Sequence, residues 1–321
     1  YLSAYMLAAA TSAAYDGHCA TIPTPSEGGY HLGGKNADST MKFALAGVAG
    51  VSNEYINALV YWMQANRQDG QVAFDAFNVH HYMTKEIVLP NGSSAYVGIS
   101  PEEAKIDEVL SNLVAMRDKY YPEKEVWITE FGWDTNQSYS TPTSSHAYGE
   151  YTGRQVQAMW LTRSYLIFSA CGIDKADMYM CEDAGVEAES AGKYGTCGVI
   201  AYERDENGNT IEVKKDSYYY LYTLKNALGE YTFDSEIEAY DENVMIYKYT
   251  TEDGGEAYAV WCKTSDGTKV ENYQLRIDSE GATVIEAVYG DIDGVKTETI
   301  ADEYGYVSVD VSENPIYVIV D

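Results

Sequence analysis

Four times between residues 36 and 229 a short apolar run is followed by a stretch of helical length, and after Gly229 that rhythm stops. "MKFALAGVAG" (41–50) precedes "NEYINALVYWMQANRQDG" (53–70), and "FDAFNVHHY" (74–82) precedes "SPEEAKIDEVLSNLVAMRDKYY" (100–121). "EVWITEFGW" (125–133) precedes "GEYTGRQVQAMWLTRSYLIFSACG" (149–172), and "KADMYMCED" (175–183) precedes "KDSYYYLYTLKNALG" (215–229). Strand–helix units in succession demand a parallel sheet with its helices packed outside it. The second helix is announced by Ser100-Pro101-Glu102-Glu103, a cap residue, a first-turn proline and early acids. At the amino end Leu2, Tyr5, Met6, Ala9 and Ala13 share one face of a further helix, in a stretch that lacks the basic flank of a secretory signal.

Past Gly229 the period shortens to two. "NVMIYKYT", "AYAVWCK", "VENYQLRI", "TVIEAVY", "VKTETI", "YVSVDV" and "PIYVIV" are strand-length segments parted by "EDGG", "SDGT", "DSEG" and "DIDG". The sequence therefore predicts an α/β domain over residues 1–229 and an antiparallel β-sandwich over residues 230–321.

Charge narrows the partners. Fifty Asp and Glu against 21 Lys and Arg leave a net charge of −29, which repels nucleic acid and acidic lipid and favours neutral or cationic ligands. No apolar run approaches the ~18 residues of a membrane span. The 31 tyrosines suit wet amphipathic surfaces, sugar sites among them, and equally a Tyr-rich core. Cys19, Cys171, Cys181, Cys197 and Cys262 show neither zinc spacing nor a disulfide framework and read as buried thiols. No cofactor is called for.

In parallel barrels the working residues sit at the carboxyl ends of strands. Here the second strand ends in Asn78-Val79-His80-His81-Tyr82, the third in Glu130, and the fourth in Glu182-Asp183. Strand alternation puts Asn78, His80 and Tyr82 on one face and Val79 and His81 on the other, so the adjacent histidines face apart and make a poor metal pair. Trp133 suits a core position and a sugar platform equally, and Glu182 a loop cap or a substrate contact. Tyr218, Tyr219, Tyr220 and Tyr222, on one helix, read as packing.

Together "VWITEFGWDT", the preceding "FNVHHY", the following "DMYMCED" and the terminal β domain resemble the carboxyl-terminal half of a clan A glycoside hydrolase. The resemblance implies strands five to eight of a (β/α)8 barrel followed by a β-sandwich, and a retaining β-glycosidase or endo-glycanase acting on a neutral polysaccharide or oligosaccharide. Glu130 maps to the nucleophile of the seventh strand. His80 and Tyr82 map to the His-x-Tyr of the sixth, the tyrosine bonding the nucleophile. Asn78, Trp133 and Glu182 complete the expected substrate contacts, without a metal. The family's Asn-Glu acid/base has no match before residue 41, so the chain is expected to begin in mid-barrel and to lack activity by itself. A secreted or cell-surface location follows from the substrate class. The alternative is a non-catalytic carbohydrate-binding or interaction protein on the same scaffold.

Overall fold

The computed structural model describes residues 2–22, 32–189 and 192–321. The first elements are α1 (Ala4–Ala20), α2 (Gly34–Ala37), β1 (Val48–Ala49), α3 (Asn53–Asn66), β2 (Ala76–His80), β3 (Thr84–Val88), β4 (Ser94–Gly98) and α4 (Ile106–Tyr120). There follow β5 (Glu125–Glu130), α5 (Gly153–Ala170), β6 (Lys175–Ala176), β7 (Glu182–Val186), β8 (Ile200–Arg204), β9 (Thr210–Lys214) and α6 (Asp216–Leu228). Only strands come after it: β10 (Thr232–Ile237), β11 (Val244–Thr250), β12 (Glu256–Cys262), β13 (Val270–Arg276), β14 (Gly281–Val288), β15 (Asp291–Ile300), β16 (Tyr306–Val311) and β17 (Ile316–Val320). Tyr1, the first residue of the expected amino-terminal helix, lies outside the described residues.

By compactness the chain forms two units that do not divide at residue 229. The first comprises residues 1–81, 108–130 and 173–177, and the second residues 82–107, 131–172 and 178–321.

The first unit is built on an open parallel sheet of order β1-β2-β5-β6. Its core is the apolar side of those strands, with Phe77, Val79, Val126 and Ile128 all fully buried. Phe74 and Phe77 meet edge-on at 4.8 Å. The helix α3 forms because Ile56, Leu59, Val60 and Met63 recur on one buried stripe. Ser52 caps it by accepting from the Tyr55 N–H at 3.3 Å. Arg67, just past its end and almost wholly buried, donates to both oxygens of Asp16 on α1 and to Asp69.

In the second unit α5 is buried nearly all round and is started by a capping box, Thr152 with Gln155. The segment after Gly229 has a six-stranded sheet, β10-β11-β12-β17-β14-β15, and a two-stranded one, β13-β16. Val260, Leu275, Val307 and Val318 are among the residues of one core contributed by both sheets. That core is drawn from residues 230–321, and buried polar contacts tie the same region to α5 and to the segment before α4. Arg163 of α5, 0% exposed, donates through Nε to Glu102 at 2.8 Å and through Nη1 to the Thr264 carbonyl at 3.0 Å. Trp261 Nε1 donates to the same Glu102 at 2.7 Å.

Two expected elements are corrected. Ser100 does accept from the Glu103 N–H at 3.1 Å, but Lys105 adopts φ +51° and α4 begins only at Ile106. The fourth parallel strand ends at Ala176 rather than Asp183. Glu182 instead opens β7, in a separate sheet of order β7-β8-β9. The cysteines are free thiols, but only Cys197 and Cys262 are buried.

Candidate functional site

Parallel pairing of β2 with β5 brings His80 opposite Glu130, with the register slipping between Val79 and His80 so that Thr129 is passed over. Such slips at strand ends re-aim side chains. Here the result is a polar chain confined to the first unit. His80 Nδ1 lies 3.3 Å from Glu130 Oε1. His80 Nε2 lies 3.0 Å from Thr129 Oγ1, and that hydroxyl donates to Asn78 Oδ1 at 2.8 Å. Thr129 has a single proton to give, and giving it to Asn78 makes its oxygen the acceptor for the His80 Nε2–H. The imidazole is thus held at one nitrogen while the other faces the carboxylate. Both side chains keep solvent access, 25% for His80 and 33% for Glu130, whereas Asn78 is buried and serves as the anchor.

Space for the imidazole comes from Gly47, on the neighbouring segment leading into β1. A Cβ there would lie 1.9 Å from His80 Nε2, so no other residue fits with the ring where it is. Gly132, in the run after Glu130, is required for a different reason: it has φ +147°, and a Cβ would stand 2.7 Å from the Tyr179 carbonyl oxygen. Sequence reading missed Gly47 and Thr129. The signal for Gly47 was a glycine inside an apolar strand-like run, which marks close approach of another group.

His81 follows the end of β2, its backbone N–H donating to the Glu130 carbonyl at 2.9 Å. Burial pulls its imidazole below the ordinary histidine range, and its Nδ1 has no hydrogen-bond partner among the described residues.

Three expected contacts lie in the second unit. The ring of Tyr82 packs on Tyr194 at 4.6 Å, with Lys193 5.8 Å from its centroid. Trp133 is 0% exposed, donates Nε1–H to the Ile99 carbonyl at 3.0 Å and packs on Trp160. The indole is a core residue and offers no platform to a sugar. Glu182 is exposed and accepts from the Tyr202 hydroxyl at 2.6 Å. Its neighbour Asp183 is buried against Lys215, which also reaches Thr135 and the Thr196 carbonyl. Burial pushes the Asp183 carboxyl up to about 6 against the pull of Lys215, and burial likewise lowers the Lys215 ammonium.

Among the described residues one trio of ligand-type atoms, from Asp16, Cys19 and Asp69, comes within 4.8 Å. The Arg67 guanidinium already occupies both carboxylates. No described helix is long and apolar enough to cross a membrane.

No protein-family model matches this sequence, and no curated protein matches it. Solved structures do. A family 39 glycoside hydrolase from the gut symbiont Bacteroides cellulosilyticus WH2 aligns over 85% of this chain and 48% of its own, with TM-score 0.54 and 17% identity. A GH30 endoxylanase from Clostridium papyrosolvens C71 aligns over 100% of this chain and 61% of its own, with TM-score 0.52 and 8% identity. The chain has the clan A glycoside hydrolase fold. A monomeric β-xylosidase from Caulobacter crescentus CB15 shares it at TM-score 0.52 and 14% identity, over 89% of this chain and 62% of the other. The chain therefore spans between about half and three fifths of the length of these clan A structures. Its own parallel sheet, among the described residues, is open and four-stranded.

Proposed function

We propose that this chain carries the nucleophile of a retaining glycosidase acting on β-linked neutral glycans. The observation behind the reading is Glu130 at the carboxyl end of an interior parallel strand, with His80 Nδ1 3.3 Å away and the imidazole fixed from behind through Thr129. A Glu130 oxygen attacks the anomeric carbon and forms a glycosyl ester while the glycosidic C–O bond breaks. The leaving oxygen takes the bonding pair and a proton from an acid. Water then attacks the anomeric carbon, its proton passing to the same group now acting as base, and the bond from that carbon to Glu130 breaks to release the carboxylate. His80 is a positioning residue: with its Nε2–H given to Thr129, its Nδ1 donates to the attacking oxygen when the ring carries both protons. Tyr82 is proposed to act on the same carboxylate, as the sequence resemblance implies.

Such a mechanism needs a second carboxyl group ~5–5.5 Å from the first. The Asn-Glu pair that would carry it has no match in this sequence before residue 41, so on this reading the chain fails on substrates whose leaving group must be protonated. General acid help typically supplies ~100-fold or more. A secreted or cell-surface location goes with this substrate class.

Dinitrophenyl 2-fluoro glycosides test the reading directly, because their leaving group departs without an acid. Two of the structural neighbours are named as an endoxylanase and a β-xylosidase, so the xyloside is tried first and the glucoside second. A mass increase that maps to the peptide holding Glu130 and disappears in Glu130→Gln is expected. Labelling at Glu182 or Asp183 instead would overturn the assignment of Glu130, and no labelling with any glycoside would leave the non-catalytic carbohydrate-binding alternative.

A further inference from the structure

A groove of about 440 Å³ lies within the second unit, where the first turns of α5 and α6 meet the β13, β14 and β16 region. Tyr151, Tyr220 and Tyr289 are among its walls, and Glu286, Asp310 and Asn314 among its polar groups. Tyr289 is 59% exposed and meets Tyr219 at 5.1 Å. Tyr219 in turn meets Tyr218 at 5.4 Å, and Tyr218 meets Tyr222 at 4.8 Å. Tyr218, Tyr219 and Tyr222 of α6 and Tyr289 just after β14 thus form a continuous ladder of ring contacts that runs into the groove, with ring planes at 76° and 65° at the two steps nearest it. At the groove Asn314 is 5% exposed and donates to the Ala287 carbonyl at 3.1 Å, while its Oδ1 has no hydrogen-bond partner among the described residues. A buried polar atom without a partner calls for a ligand group or a water.

We infer that this groove and its tyrosine ladder are a second, non-catalytic binding site for a neutral polysaccharide chain. Tyrosine rings offer flat apolar faces to the C–H face of a sugar, with hydroxyls at their edges. Glu286 and Asp310 are exposed acceptors for sugar hydroxyls. The same carboxylates, on a protein of net charge −29, exclude an acidic glycan or a nucleic acid. A cationic peptide would satisfy the acids but would also meet Lys269, which lines the same groove. The inference stands on the groove and needs no particular role for Glu130.

Affinity electrophoresis of the Glu130→Gln chain through gels containing xylan, glucomannan or mixed-linkage glucan is the test. Retardation by at least one of these polymers is expected, with the apparent Kd weakened about tenfold in Tyr289→Ala and largely restored in Tyr289→Phe. Circular dichroism of each variant controls for folding, and Glu286→Gln supplies a second probe that leaves the ladder intact. Retardation by none of the polymers, or equal retardation of Tyr289→Ala, overturns the site. So does tight binding of oligolysine that is lost in Tyr289→Ala while neutral glycans fail to bind. A chain that takes up the fluoroglycoside at Glu130 yet runs freely through every gel refutes this site alone. One that is never labelled yet is retarded through Tyr289 refutes the nucleophile alone.

Discussion

At the scale of single residues the site depends as much on an absent side chain as on those present. Gly47→Ala puts a methyl where the His80 ring stands, so the imidazole must swing away from Glu130. We predict a drop of about tenfold to 100-fold in the rate of Glu130 labelling by the fluoroglycoside, the size expected for a misplaced positioning group. Circular dichroism should stay unchanged, since Gly47 has an ordinary φ and sits in a short segment. A labelling rate within twofold of the parent would show that His80 does not set the carboxylate. Asn78 and His80 were legible as one face of a strand because alternation is a local rule, and Glu130 as a carboxylate ending an apolar run, whereas the T-E-F-G run speaks only through the family resemblance. Gly47 and Thr129 were not, because each acts across a strand boundary that only the paired sheet defines.

Elements were legible where local patterning sets them, and obscure where pairing does. The stripe and cap of α3 and the capping box of α5 can be read from residues three and four apart. The end of β6 cannot: "DMYMC" alternates as a strand would, yet pairing with β5 stops at Ala176. The turn into α6 carries the buried Lys215–Asp183 pair, both side chains at 0% exposure. Removing Lys215 strands a carboxylate in the interior, and breaking such a pair costs about 3–5 kcal/mol. Lys215→Met should therefore be strongly destabilised at pH 8 and much less so at pH 5, where Asp183 can take up a proton. Denaturant titrations at the two pH values measure this, and an equal deficit at both would contradict it.

For the whole molecule two sets of acids place opposite demands on pH. In the first, burial works against the charged forms of Asp16, Asp69 and Asp75, but the Arg67 hydrogen bonds to the first two and Lys35 at the third outweigh it and hold all three below 3.8. Groups lowered on folding contribute stability that is present above pH 3.8 and lost as pH falls through their folded values. In the second, burial raises Asp183 to about 6 and raises Asp216 as well. Groups raised on folding contribute stability that is full below 3.8 and lost as pH rises through the folded value, near 6 for Asp183. Self-repulsion of a chain at −29 adds to that loss on the alkaline side. Thermal scans should give their highest Tm between about pH 4 and 6, declining toward pH 8. A flat profile from pH 5 to 8 would show that the buried acids are matched in the unfolded chain.

Arg163 gives the β region a different standing from that of an appended module. Its guanidinium, 0% exposed, is held by Glu102 from the hairpin side and by the Thr264 carbonyl from beyond Gly229, while Trp261 shares the same carboxylate. Buried contacts thus cross the change of secondary structure at residue 229. Exchanging the β region, or cutting it away to obtain a smaller chain, would strip a buried cation of part of its coordination and leave an indole partner missing. For recombination, the exchangeable block is the whole second unit, with α5 and Glu102 included.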